Sequence, residues 1–350
     1  ANFTGALQNG GSNVIVDSDI GTTVLAPNGS GANLTNLPSG GATSINGLSD
    51  GYNDASSVGL GTGALANDDG TTNNNTAVGT NALFNNTTGN NNVASGYRTL
   101  FSNTTGSGNT GTGYRALYSN TTASNNTASG YYALRLNTIG TNNTATGYQT
   151  LRKNTTGGSN TAHGYKALWA NLTGQDNVAI GREALTSNST GNKNVATGNY
   201  ALKRNTTAGN NTAHGDNSLT WNSTGSNNTA NGRQSVYYNT TGSGNTGSGY
   251  NSVYSNTIGI NNTGMGKQAL LLNTTGSNNT GLGSDSLFFT TTGTNNTGSG
   301  FYALASSATA SNEFTLGDAS VTNLRCNDTS ISGLSDERDK TNITDLPESA

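Results

Sequence analysis

Charge is scarce in this chain of 350 residues, of which 9% are Asp, Glu, Lys or Arg. Cysteine occurs once, at Cys326, which excludes a disulfide framework and a thiolate metal cage within one chain. Proline occurs three times, at Pro27, Pro38 and Pro347, so no proline ring removes a ladder donor from the long middle of the sequence. Apolar residues make up 30% and never form the run of about 18 that a transmembrane helix needs, so no membrane insertion is expected. The formal charge is −3 and the basic residues are scattered along the sequence, which reads as no basic stripe and no nucleic-acid partner. With 50 glycines, this composition taken alone describes a disordered chain.

Periodicity says otherwise. A glycine recurs every 17 residues from Gly79 to Gly300, in fourteen copies. Each has asparagine four residues before it, from Asn75 and Asn92 to Asn296. Four residues after it stands leucine in twelve copies and valine in two, Val236 and Val253. Two before it only Ala or Gly occurs, which suits close backbone packing, and three before it stands Thr or Val. A disordered polar chain has no physical reason to keep such a register. A short fixed period means stacked units, so the expected fold is all-β, an elongated parallel β-roll or β-solenoid of about fourteen 17-residue coils. At about 4.8 Å per coil the rod spans roughly 65 Å. Each copy is expected to supply two short strands, with a second glycine, such as Gly89, Gly106, Gly140 or Gly157, at the turn after an N-T-T run. The repeated asparagine is expected to stack on its copy in the next coil as an amide ladder.

One leucine and one alanine per coil is a thin core against roughly 1–2 kcal/mol of backbone entropy per residue, so partner chains are expected to complete it, as a parallel homotrimer. Residues 1–52 read as a β-rich shaft segment, 53–305 as the repeat rod and 306–334 as a capping connector. From Ser335 a sudden cluster of charge marks a further domain, 335–350.

The rhythm N-x-A-x-G, clearest at Asn177, Val178, Ala179, Ile180 and Gly181, resembles the head repeats of trimeric autotransporter adhesins, with Thr often in place of Val. The segment S-D-E-R-D-K-T-N-I, Ser335 to Ile343, resembles the opening of the C-terminal intramolecular chaperone of endosialidase-type phage tailspikes and tail fibres. That resemblance implies a trimer-folding chaperone, here truncated, that releases itself between Ser335 and Asp336, with Ser335 as nucleophile and Lys340 as general base. It also implies a receptor-binding fibre of a virion tail that attaches to a host glycan or protein and joins other tail proteins on its N-terminal side. The alternative is a bacterial trimeric surface adhesin on the cell surface.

One residue after the repeat glycine, Tyr97, Tyr114, Tyr131, Tyr148 and Tyr165 occupy consecutive coils and align as a stripe. With Arg98, Arg115 and Lys166 nearby, the stripe either binds sugar faces or covers trimer seams, the latter being preferred. His163 and His214 share one register position, which a threefold axis would convert into a metal triad, although a surface role is the plainer reading. No cofactor is expected. Glycan hydrolysis needs two carboxylates about 5–9.5 Å apart, and Asp176 with Glu183 is the one candidate pair, with Arg182 and Lys193 available as ion-pair partners instead.

Overall fold

The computed structural model describes residues 56–70 and 73–322 in full, together with the backbone pairing of four short strands before them. Those are β1 (Ala6–Asn9), β2 (Ser12–Asp17) and β3 (Thr22–Val24), an antiparallel meander, and β4 (Gly51–Asn53), antiparallel to β5 (Val58–Leu60). From β5 to β20 (Phe314–Leu316) every strand has three residues and pairs in parallel with the strand of the next coil, in sequence order. The register is one coil per step, Ala145 facing Ala162 and Ala162 facing Ala179. Fifteen steps at about 4.8 Å make a solenoid of about 70 Å. No helix occurs among the described residues.

Each coil contributes one strand, not two. After the strand the backbone takes positive φ at the glycine and again two and four residues later, as at Gly181 (130°), Glu183 (54°) and Leu185 (50°). Alternating left-handed residues bend the chain too sharply for an extended run, so this half of the coil is turns. It is nevertheless bonded from coil to coil, with the Leu83 N–H donating to Thr99 O at 3.0 Å and the Leu100 N–H to Ala116 O at 3.0 Å. Glycine is required in the column that opens this arc. A Cβ at Gly79 would stand 2.7 Å from Gly96 O, at a φ of 129°.

The leucine knobs turn into their own coil. Leu83, Leu117, Leu168 and Leu219 are wholly buried within the single chain, packed with the small residues of the strand. The expectation that partner chains must complete the core is therefore corrected, because amides fill what apolar side chains do not. Two asparagine ladders run through the interior. The first is the repeated asparagine before the strand, whose Oδ1 accepts the backbone N–H of the next copy (Asn92 N to Asn75 Oδ1, 2.9 Å). The second lies in what the sequence presents as turn, the first asparagine of each N-T-T or N-S-T type run: Asn103 and Asn120 donate Nδ2 back to the Oδ1 of Asn86 and Asn103, at 2.8 and 2.9 Å. Both ladders also donate to the carbonyl of the second glycine, Gly89 O taking Asn75 Nδ2 at 2.8 Å and Asn86 Nδ2 at 2.9 Å. That glycine thus supplies an interior acceptor as well as a turn.

A carboxylate stands at one end of each ladder. Asp68 stands one coil before Asn86 and takes Nδ2 of Asn73 at 2.8 Å, with Asn75 and Asn86 at 3.4 and 3.5 Å. Glu313 follows Asn296 in the first ladder. Its N–H meets Asn296 Oδ1 at 3.1 Å, while its carboxylate turns back to accept the Ser306 N–H at 2.7 Å and the Ser306 hydroxyl. The Asp68 carboxylate has no N–H to pass the second ladder back another coil, whereas the Glu313 carboxylate ends the first by turning its oxygens to Ser306.

Candidate binding face

Projection of the coil places the first, second, fifth and sixth residues after the repeat glycine on one outer face. The predicted tyrosine stripe is present there. Tyr97, Tyr114, Tyr131, Tyr148 and Tyr165 stack with ring centres 5.2–5.4 Å apart and interplanar angles of 4–13°. A second column five residues after the glycine stacks in the same way, Phe84 on Phe101 at 5.4 Å and Phe101 on Tyr118 at 5.2 Å. Coil spacing sets these distances, so stacking follows from putting an aromatic residue in successive copies. The consequence for ligands is direct. Ring faces inside the column lie against the neighbouring rings. Within the column, a sugar finds no free ring face to lie flat on.

The reading of scattered basic residues is corrected here. Between Asp69 and Asp176 the sequence has six cations, Arg98, Arg115, Arg135, Arg152, Lys153 and Lys166, and no acid. All six stand two, five or six residues after a repeat glycine, so the coil gathers them on the aromatic face. Rings are interleaved between them. Tyr97 lies 5.3 Å from the Arg98 guanidinium carbon and 6.0 Å from that of Arg115. Tyr118 lies 5.4 Å from Arg115 and 5.9 Å from Arg135, and Tyr132 lies 4.8 Å from Arg135 and 5.3 Å from Arg152. Such contacts contribute about 0.5–1 kcal/mol each at exposed sites. None of the six cations forms an ion pair among the described residues. The Nε groups of Arg98, Arg115, Arg135 and Arg152 are covered and lack any hydrogen-bond partner. Within this lattice the Tyr132 phenol is held below its ordinary pKa, first by its hydrogen bond with Tyr131 and then by Arg115 and Arg135, while the same hydrogen bond raises Tyr131.

Comparison with models of protein families, with curated proteins and with solved structures finds no match to this chain. The face must therefore be read from its own chemistry.

The other candidates lie apart from it. His163 and His214 are exposed on the outer side of the strand, three coils from each other, with His214 Nδ1 against the Thr197 hydroxyl. Among the described residues no group of three or more His, Cys, Asp or Glu side chains converges. Glu183 is engaged with Lys203 at 2.8 Å and Arg182 at 3.8 Å; Lys193, named as a partner from sequence, takes no part in these ion pairs. Further along the aromatic face a shallow groove of about 220 Å³ lies between Tyr200, Arg204, Trp221 and Tyr237, with the Arg204 guanidinium 3.8 Å above the Trp221 ring. Ser335, Asp336 and Lys340 lie outside the described residues. Phe101, Tyr118, Tyr132, Arg135 and Arg152 were not singled out from sequence. The signal that could have found them is the 17-residue spacing of Phe84, Phe101 and Tyr118.

Proposed function

We propose that the chain is the rod of a receptor-binding fibre of a phage tail, a trimer that attaches the virion to the host surface and is matured in its precursor by a self-cleaving C-terminal chaperone. The observation that carries this reading is the uninterrupted parallel ladder from β5 to β20, a stiff spacer built from one repeated unit with its core closed inside each coil. Such a body holds a ligand-binding surface away from its point of attachment. The chaperone part rests on the segment Ser335 to Ile343. Glu183, which with Asp176 makes the candidate carboxylate pair, is held by two cations, which favours binding over hydrolysis. The rhythm at Asn177 to Gly181, where the alanine is buried and the asparagine laddered, equally supports a bacterial trimeric surface adhesin. A membrane-anchoring β-barrel encoded downstream, in place of a chaperone, favours that reading.

Light scattering of the purified native protein tests the fibre. A mass about three times 35.4 kDa, with rods in electron micrographs, is expected. A stable folded monomer overturns the trimer.

A further inference from the structure

We infer that the cation–aromatic row from the coil of Gly96 to the coil of Gly164 is the binding face for an acidic polysaccharide lying along the rod axis. This deepens the attachment role proposed above and rests on it for its meaning, while the binding itself needs no trimer.

Charge is segregated along the chain. Twelve of the 15 basic residues and four of the 18 acidic ones lie between residues 71 and 304, so a chain of net charge −3 carries a stretch of net charge +8. Within the row the cations stand on successive coils with no carboxylate among them. Like charges about 5 Å apart repel by close to 1 kcal/mol even at the dielectric of water, and by more at a protein surface. The interleaved rings offset part of this, and no carboxylate pairs with the six cations among the described residues to offset the rest. An external chain of anions supplies what the protein withholds.

Three other occupants fit less well. Single-stranded nucleic acid is held by stacking bases on free aromatic faces, and here the faces within the columns are taken up by neighbouring rings. A threefold seam on this face would bring three unneutralised cation rows together, against the rule that interface cores are depleted of charge. A neutral glycan would leave the charge of the guanidiniums unneutralised. A polysaccharide carrying anionic groups meets both features. Its hydroxyls face a file of tyrosine edges at coil spacing, and its anions face the guanidinium forks.

The test uses the full chain with dextran sulfate, unmodified dextran and oligothymidylate, titrated calorimetrically at 50 and 200 mM salt. Dextran sulfate is expected to bind and unmodified dextran not. With six cations engaged and slopes of the single-strand kind, affinity falls about 300-fold between the two salt concentrations. The double variant Arg115→Gln with Arg135→Gln, which empties both sides of Tyr118, is expected to reduce that salt slope by about a third. Arg115→Lys with Arg135→Lys keeps the slope, and Lys267→Gln, six coils beyond Lys166, leaves binding unchanged. Unchanged hydrogen exchange at the Leu117 and Leu134 amides, which bond to the next coil at 3.0 Å, shows that the fold is kept. Failure to bind dextran sulfate at 50 mM salt, an unaltered slope in the double glutamine variant, or equal affinity for oligothymidylate overturns the inference. A trimer that ignores dextran sulfate rejects this inference and leaves the fibre standing; a monomer that binds it does the reverse.

Discussion

Asn171 sits in the middle of the second amide ladder, wholly buried, and its replacement isolates what that ladder contributes. Its Nδ2 donates to Asn154 Oδ1 at 2.7 Å and to Gly174 O at 2.9 Å, and its Oδ1 accepts Asn188 Nδ2 at 2.9 Å. Asn171→Ala removes all three. Gly174 O keeps Asn160 Nδ2 at 2.9 Å and Asn188 keeps Gly191 O at 2.9 Å, but Asn154 Oδ1 has no other donor. At about 1 kcal/mol net per hydrogen bond, with one buried acceptor orphaned, the loss is about 3–5 kcal/mol. Asn171→Asp keeps the shape and should be worse at neutral pH. Both donated bonds become oxygen against oxygen, and a carboxylate is placed where water does not reach. Burial raises the folded-state pKa of that aspartate above its unfolded value near 3.9, so its penalty appears as pH rises through the unfolded value and most of it vanishes below about pH 4. Solenoid coils interact with nearest neighbours, so the readout is hydrogen exchange over residues 154–205 with the coils near Gly266 as internal reference. If both variants stay within about 1 kcal/mol of the parent, or if aspartate is milder than alanine at pH 7, the ladders are ornaments on a fold held by something else.

Thr290 follows Asn273 and ends the same ladder with an unpartnered hydroxyl, and Thr290→Asn would reach Asn273 Oδ1 and Gly293 O; a gain of about 1–2 kcal/mol in local exchange protection near Leu287 is expected. Gly181→Ala places a Cβ 2.5 Å from Gly198 O at a φ of 130°, so it should cost about 3 kcal/mol or more and open the neighbouring coils to proteolysis. The Glu313 carboxylate is held below its ordinary pKa by the Ser306 hydroxyl and then the Ser306 N–H. Its contribution to the closing coil is therefore present above the unfolded carboxylate pKa and lost as pH falls through the lowered folded value; exchange at Phe314–Leu316, corrected for intrinsic rates, should show that loss, and Glu313→Gln should abolish the pH dependence. In a precursor extended beyond Ala350, Ser335→Ala should leave the chain uncut by mass spectrometry, and continued cleavage would sink the chaperone assignment.

The period, the glycine column and the buried leucine were all legible in sequence, because each is a single residue type recurring at one spacing. What escaped depended on geometry that spacing does not carry. Left-handed φ at Glu183 and Leu185, residues with no special preference for it, turned an expected second strand into an arc. Asn86 and its copies were visible at the same period, but N-T-T reads locally as a turn, and only the path of the coil shows the amide pointing inward. The cations looked scattered because Arg115 and Arg135 are 20 residues apart in the chain. One coil and three residues of arc bring both against Tyr118.

Asp68 stops the second ladder at its first coil and Glu313 the first ladder at its last, while from Asn86 to Asn273 every coil presents the same ladder donors and acceptors above and below. A genetic duplication or deletion of 17 codons anywhere in the middle therefore rejoins without a mismatch. The protein can be lengthened or shortened in steps of about 4.8 Å while its termini stay unaltered, which makes reach a quantity that recombination between near-identical repeats can adjust by itself.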